Sequence, residues 1–375
     1  MPGKHVTGVS DVPCRRCKDN ISVLVVRSEP LCHDCFARYV HTKCIKRLET
    51  FRVNFAASDQ QRRVLLPLSF GVSSVTLLHI LDLHLKTQRS KTGRTGFQIH
   101  AVLIEDPEQS TSAQDLLNKA RELYPDHQYA SLPLHHIFRL IPDDAPLQGL
   151  VPSVENQHIS PPRERLAHLI DSLTSATARA DVLNTLRTRL IVEHAKMTEC
   201  ESILWGDSTT KLAEKTLAET AKGRGFSLPW KVTDGESPFG PNFHYPLRDV
   251  LKKELISYIT LASPAPASLV HEPVLSATPA SLSSRNTTID DLMKQYFESV
   301  EENFPSIVSN VVRTTGKLDL PAIASTDPRC SLCSMPVSGG RFGIHGWGGD
   351  QQDASDTTCS SRINSLCYGC TRSIP

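Results

Sequence analysis

Eight of the chain's eleven cysteines fall into four C-x-x-C pairs: Cys14 with Cys17, Cys32 with Cys35, Cys330 with Cys333, and Cys367 with Cys370. Each pair is a short knuckle that turns two thiolates toward one ion. Two knuckles together close a tetrahedral sphere with no open position, which is the chemistry of a structural zinc site rather than a catalytic one. Fourteen residues separate the first two pairs. The second two are separated by a longer stretch rich in glycine (Gly339, Gly340, Gly343, Gly346, Gly348, Gly349) that also holds Cys359, which could replace one of the four ligands. Disulfides are the alternative use of such pairs and require an oxidising compartment. A different chemistry is written into Ser69-Phe70-Gly71-Val72-Ser73-Ser74. This stretch follows an apolar run, Val64 to Leu68, and leads into a helical pattern, Val75 to Leu81. A strand, a tight Gly/Ser turn and a helix N-terminus is how a backbone cradles phosphate, and Ser69, Gly71, Ser73 and Ser74 are the candidate contacts.

The elements that must position these groups divide the chain into four parts. Residues 1–63 form an N-terminal zinc module and a basic helix, with Ile21 to Val26 as a β-rich run expected to hairpin between the knuckles. Residues 64–261 alternate strand-like and helix-like runs, as an α/β domain with a doubly wound parallel sheet would. Its strands are expected at 64–68, 97–104, 128–134 and 202–205. Its helices are expected at 74–86, 112–123, from Pro161 to Met197 with one or two breaks, and at 209–222 with Leu212, Thr216 and Leu217 on the inner face. A basic turn is expected over Lys86 to Arg94. Residues 262–288, rich in Pro, Ser and Ala, read as a disordered linker. Residues 289–375 hold an acidic amphipathic helix, 289–303, and the C-terminal zinc module.

Order and spacing together resemble a known family, the cytoplasmic tRNA 2-thiolation proteins. The loop is similar to the S-G-G-x-D-S pyrophosphatase loop of ATP-dependent tRNA-modifying enzymes, with Phe70 in place of a glycine and Ser73 in place of the aspartate. Cys32-His-Asp-Cys35-Phe36-Ala-Arg38-Tyr39-Val40 resembles the C-x-D-C-F-x-x-Y-V run of the second, degenerate family member. Gly206 to Ala213 stands where catalytic relatives have G-H-N-x-D-D-x-A, and Pro246 to Glu254 is similar to the P-L-R-D-x-x-x-x-E segment. The resemblance implies an ATP-pyrophosphatase-like fold and two structural zincs. An active member adenylates the wobble uridine with ATP, and sulfur from a thiocarboxylated ubiquitin-related modifier then displaces AMP.

This chain departs from the active pattern. Phe70 puts bulk where the backbone must approach pyrophosphate, and Ser73 offers no carboxylate to Mg²⁺. No cysteine lies between Pro161 and Met197, and Cys200 is the middle domain's lone thiol. The expected role is therefore a non-catalytic subunit for thiolation of tRNA position 34. It would form a heterodimer with a catalytic paralogue, bind tRNA and work with the ubiquitin-related sulfur carrier. Two other readings stay open. One is an active ATP-dependent tRNA sulfurtransferase with a variant loop, using Glu105 or Asp106 for metal; the other is a zinc-bearing protein adaptor.

Charge limits the partners. The net charge is only +1, yet residues 1–63 hold twelve Lys/Arg against six Asp/Glu, including Arg15, Arg16, Lys43, Lys46, Arg47, Arg62 and Arg63. That excess could meet a phosphate backbone or be a solvated helix face. The first residues lack an apolar leader and no apolar run reaches spanning length, so a cytoplasmic protein with no membrane partner is expected. His79, His84, His135 and His136 read as surface or core fillers, Cys44 as a semi-buried filler, and the Trp347-Gly-Gly run as a loop between knuckles.

Overall fold

The computed structural model describes residues 12–52, 62–106, 110–141, 146–151, 161–262, 266–271, 287–320, 327–337, 342–343 and 366–374. Cys359, Trp347 and the linker stretch 272–286 lie outside them. Between the first two knuckles the chain forms β1 (Leu24–Val26) and β2 (Glu29–Leu31), an antiparallel hairpin with Val26 facing Glu29. Its two-residue turn places Arg27 (φ 46°) and Ser28 (φ 73°) in the left-handed region, the conformation that matches strand twist in a tight hairpin. Helix α1 (His33–Lys46) follows.

The next elements build the central sheet: β3 (Arg63–Pro67), α2 (Val72–Thr92), β4 (Gln98–Glu105), α3 (Ser110–Leu123) and β5 (Gln128–Pro133). Short α4 (Ile137–Leu140) leads through residues 146–151 to α5 (Pro162–Asp171) and long α6 (Ala176–Met197). Then come β6 (Ser202–Leu204), α7 (Thr209–Ala221), α8 (Leu228–Val232), β7 (Asn242–His244) and α9 (Lys252–Leu261). Two helices, α10 (Ile289–Asn303) and α11 (Pro305–Thr315), and a last turn, α12 (Tyr368–Thr371), complete the chain.

The strand order is β5-β4-β3-β6-β7, and every neighbouring pair is parallel. Side chains alternate across β3 because a strand has a period of two. Val64 and Leu66 pack with α1, α2, α3 and α9 on one face, whereas Leu65 joins α6, α7, α10 and α11 on the other. The doubly wound α/β reading is therefore correct. The order reverses at β3, so the loop leaving it sits at the topological switch point, where open α/β sheets bind ligands.

Several local expectations are corrected. Helix α2 runs on through the expected basic turn to Thr92, and Gly93 (φ 72°) ends it in the left-handed conformation that a glycine adopts without cost. Leu217 is exposed while Leu212 and Thr216 are buried, since the rotation of α7 is set by α10 and α11 packing on it. Within the expected disordered linker, Pro266–Leu269 forms a 3-10 turn with both named residues buried against the α2 face. Cys44 is fully buried rather than half-buried. The first knuckles are not held apart from the sheet either: Cys14, Cys32, Phe36 and Val40 share one continuous core with Val64 and Leu66.

Candidate functional site

The four sulfurs of Cys14, Cys17, Cys32 and Cys35 lie within 4.8 Å of one another, and so do those of Cys330, Cys333, Cys367 and Cys370. Cys17 and Cys32 sulfurs are 3.7 Å apart, and Cys333 and Cys367 sulfurs 3.8 Å. A tetrahedron with metal–sulfur bonds of about 2.3 Å has edges of about 3.8 Å, so each set has the dimensions to hold one metal ion. Hairpin β1–β2 brings the first pairs together, as its β-rich sequence implies. Burial alone would raise the Cys14 thiol, but backbone N–H groups of Cys17, Cys32 and Arg16 outweigh it and hold the group at about 6. Among the described residues, no other group of His, Cys, Asp and Glu comes close enough to share an ion.

The first set is anchored by the Pro246-to-Glu254 segment. Arg27 Nε donates to Glu254 at 2.9 Å, Tyr39 Oη donates to the same carboxylate at 3.1 Å, and Lys43 Nζ donates to the Asp249 carbonyl at 2.9 Å. Glu254 also accepts the Leu251 N–H at 2.9 Å and so caps α9. Behind the second set lies a buried charge network that the sequence did not announce. Arg224 Nη1 donates to Asp181 at 2.9 Å and lies 3.8 Å from the Cys370 sulfur, while its Nε donates to Glu219 at 3.0 Å. Arg189 Nη1 donates to the carbonyls of Ser331 and Leu332, both at 2.9 Å, inside the Cys330 knuckle. These cations face the negative charge that four thiolates would carry.

The loop after β3 stands at the C-terminal edge of the sheet, as expected. Gly71 is the N-cap of α2, and no side chain caps it. The Ser69 and Ser74 hydroxyls share a hydrogen bond of 3.2 Å, and Ser74 Oγ donates to the Gly71 carbonyl at 3.1 Å. Gly206, after β6, completes the cradle: a Cβ there would stand 3.0 Å from the Ser74 Cα. One expectation about Phe70 is corrected. Its ring is 1% exposed and packs into the core with Leu68 and Val72, so the bulk points inward instead of into the cradle. The consequence is in the backbone, where Phe70 adopts φ 58° and its carbonyl accepts the His271 N–H at 2.8 Å. Left-handed backbone costs a non-glycine residue about 1–2 kcal/mol, and truncating a buried Phe costs about 3–5. Phe70→Gly is thus expected to destabilise the chain by about 2–3 kcal/mol although it relieves the backbone. Equilibrium unfolding measures it, and a stabilised variant would refute the assignment of the ring to the core.

Other candidates are committed elsewhere. Glu105 accepts from Gln114 and Ser131, and Asp106 pairs with Arg187 at 2.6 Å. Asp207 pairs with Lys215 at 3.0 Å, and Ser208 caps α7 through the Lys211 N–H at 3.2 Å. Ser73 is half-buried in the first turn of α2. Cys200 is buried just before β6, at the edge of the sheet opposite the loop, and burial raises its thiol. Arg62 and Arg63 stand at that same far edge, paired with Glu201 at 2.7 Å and Glu199 at 3.6 Å. Lys43, Lys46 and Arg47 instead meet Arg248, Arg313 and Lys317 in one groove. The cations at the C-terminal end of α11 were missed: Arg313 stands in its last turn and Lys317 just beyond it. His79 is buried, its Nδ1 3.0 Å from the Tyr124 hydroxyl, while His135 and His136 follow β5 with ring centroids 5.0 Å apart.

A parallel doubly wound sheet with a Gly/Ser loop at its switch point and two metal-sized thiol sets defines a class, the ATP-pyrophosphatase-like α/β proteins. The solved U34-tRNA thiolase NcsA from Methanococcus maripaludis, described with its 4Fe-4S cluster, has the same fold. The two superpose with a TM-score of 0.56 at 15% identity, over 93% of this chain and 100% of that one. This chain belongs to the cytoplasmic tRNA 2-thiolation protein 2 family. The family's model matches residues 288–342, the stretch that contains α10 and α11. The relative of that name from Pyrenophora tritici-repentis is 72% identical over 100% of this chain and 98% of its own length. Those from Phaeosphaeria nodorum and Aspergillus clavatus are 70% and 37% identical, each over 100% of this chain, and 98% and 99% of their own lengths. Among the described residues, no helix is long and apolar enough to cross a membrane.

Proposed function

We propose that this chain is a cytoplasmic, non-catalytic subunit for 2-thiolation of the wobble uridine of tRNA. In this reading it pairs as a heterodimer with a catalytic paralogue of the same fold, which adenylates the uridine. That paralogue accepts sulfur from a thiocarboxylated ubiquitin-related modifier. Family membership carries the first half of the reading. The second half rests on one observation at the switch point: the carboxylates that could hold Mg²⁺ there are already bound, Glu105 to Gln114 and Ser131, and Asp106 to Arg187. The sole middle-domain thiol lies at the opposite edge of the sheet, out of reach of a reaction at the loop. Zinc is the ion we assign to both sets, because four thiolates in a tetrahedron leave no position for substrate and sulfurs 3.7 and 3.8 Å apart fit around a single ion.

Whether the loop still takes ATP is separable from this role. The Ser69–Ser74 hydrogen bond satisfies hydroxyls that a phosphate would otherwise engage. Deleting the protein from cells is expected to remove 2-thiouridine from tRNA, measured by mass spectrometry of nucleosides. Restoring it with Ser73→Ala or Ser74→Ala should return most of the modification, whereas the same change in a working pyrophosphatase loop would abolish it. Normal 2-thiouridine in the deletion strain would refute the role, and ATP-dependent thiolation by the isolated chain would refute its non-catalytic character.

A further inference from the structure

A groove of about 700 Å³ runs between α1 and α11, helices from the two ends of the chain. Helix α1 contributes Lys43, Lys46 and Arg47, and the last turn of α11 with the residues after it contributes Arg313 and Lys317. Arg27 and Arg248 complete its lining. Three carboxylates answer these seven cations. Glu254 pairs with Arg27 at 2.9 Å, Asp249 with Arg47 at 2.6 Å, and Asp234 with Arg248 at 3.4 Å. Four positive charges are left over, in a chain whose net charge is +1. Lys46, Arg313 and Lys317 form no ion pair with another described residue.

The folded chain holds this charge at a cost. Burial and then the neighbouring Arg27 push Lys43 down to about 8, against the pull of Glu254 and Asp249. An anion in the groove would favour the charged amine and so oppose both effects. The lining also selects the kind of anion. Val312 is its one apolar side chain, so an acidic amphipathic peptide would find little to bury. Arg313, the one groove arginine that no described carboxylate pairs with, offers a planar fork that matches phosphate oxygens in pairs, and Lys43, Lys46 and Lys317 add point charges beside it. Position agrees as well. Gly206 touches Ser74 of the phosphate loop, and Thr209, three residues on, lines the groove. The groove therefore opens on the C-terminal edge of the sheet beside the switch point.

We propose that this groove docks the sugar-phosphate backbone of a structured RNA, setting its position without reading its bases. The occupant deepens the role in tRNA modification proposed above and rests on it. Arg62 and Arg63, at the opposite edge of the sheet, take no part.

The test uses the full-length chain and an unmodified tRNA transcript, with binding followed by fluorescence anisotropy between about 50 and 200 mM salt. The triple variant Lys46→Glu, Arg313→Glu, Lys317→Glu removes three of the four surplus cations and leaves Lys43, which is hydrogen-bonded to Tyr39 and the Asp249 carbonyl, in place, so the anchoring pairs of Arg27 and Arg47 are untouched. A control triple, Lys91→Glu, Arg94→Glu, Lys119→Glu, makes the same change in net charge on exposed positions elsewhere. The groove triple is expected to weaken binding by about tenfold or more and to flatten the salt dependence by about two to three in slope. The control is expected to stay within about twofold, because charge outside the contact acts only through the screened field. Equal loss in both triples, or wild-type affinity in the groove triple, would overturn the proposal. Displacement by poly-glutamate as effective as by unlabelled tRNA would assign the groove to an acidic protein and overturn it too. As the sole copy in cells, the groove triple should lower 2-thiouridine. Full modification there, in a background where deletion removes it, sinks the groove and leaves the proposed function standing.

Discussion

Replacing Cys14 and Cys17 by serine is expected to lower the metal content from two ions per chain to one and to unfold residues 12–52. The four sulfurs of that set lie within 4.8 Å of one another and no other described group can take over the ion. Structural zinc contributes about 10–16 kcal/mol of apparent binding energy to small modules, and that energy is folding energy because the site does not exist unfolded. Hairpin β1–β2 has only three residue pairs, too few to stand alone in water. The damage should spread further than the module. Phe36 and Val40 pack in the same core as Val64 and Leu66, and α1 forms one wall of the basic groove. Metal analysis with hydrogen exchange or limited proteolysis measures the effect, and tRNA affinity should fall with it. Zinc is expected at both sites of the unchanged protein. Iron at either, or two ions retained by the double variant, would contradict the assignment.

The second large effect is expected at Arg224, a residue far from any sequence motif. Its guanidinium is 1% exposed and joins Asp181, Glu219 and the sulfur of Cys370. Burial by itself would raise both carboxyls. Arg224 outweighs it at Asp181, and Lys231, Arg224 and Lys222 outweigh it at Glu219, holding both below the ordinary carboxylate range. Removing one partner of a buried ion pair costs about 3–5 kcal/mol because the other charge is left without its counterion. Arg224→Ala is expected to lose that much, moderated by Lys222, which remains 3.3 Å from Asp181. Loss of the donor against Cys370 should also weaken metal binding at the C-terminal set by about ten- to a hundredfold, the usual effect of removing an outer partner. Arg224→Lys keeps the charge but not the fork and should recover only part of the stability.

Denaturant unfolding and metal competition together check this, and a stability loss under about 1 kcal/mol would show that the network is not what holds α12 to α6 and α7. The sign with pH follows from the depressed carboxyls. Their contribution is complete above the unfolded values of about 4 and fades as pH falls through the acid range. The difference between Arg224→Ala and the unchanged protein should therefore shrink below about pH 4.

What the sequence determined by itself was whatever short-range spacing controls. Two residues between cysteines suffice to turn both sulfurs one way, so all four knuckles could be read without knowing the fold. Apolar runs of strand length separated by helical patterns gave the parallel sheet, and a Gly/Ser turn between a strand and a helix located the switch point. Tertiary structure decided everything that depends on which distant segments meet. Phe70 looked like an obstruction because its neighbours in sequence form the loop; its ring is instead drawn into the core among Leu68 and Val72. Arg62 and Arg63 looked like companions of Lys46 and Arg47, yet entry into β3 carries them to the far edge of the sheet and into ion pairs with Glu201 and Glu199. The groove needs Lys46 beside Arg313, and the buried network needs Asp181, Arg224 and Ser373 together. No periodicity announces such meetings. They form because helices on one sheet face must bury their apolar sides together, and the polar side chains carried along are then left either paired, as around Arg224, or gathered in excess, as in the groove.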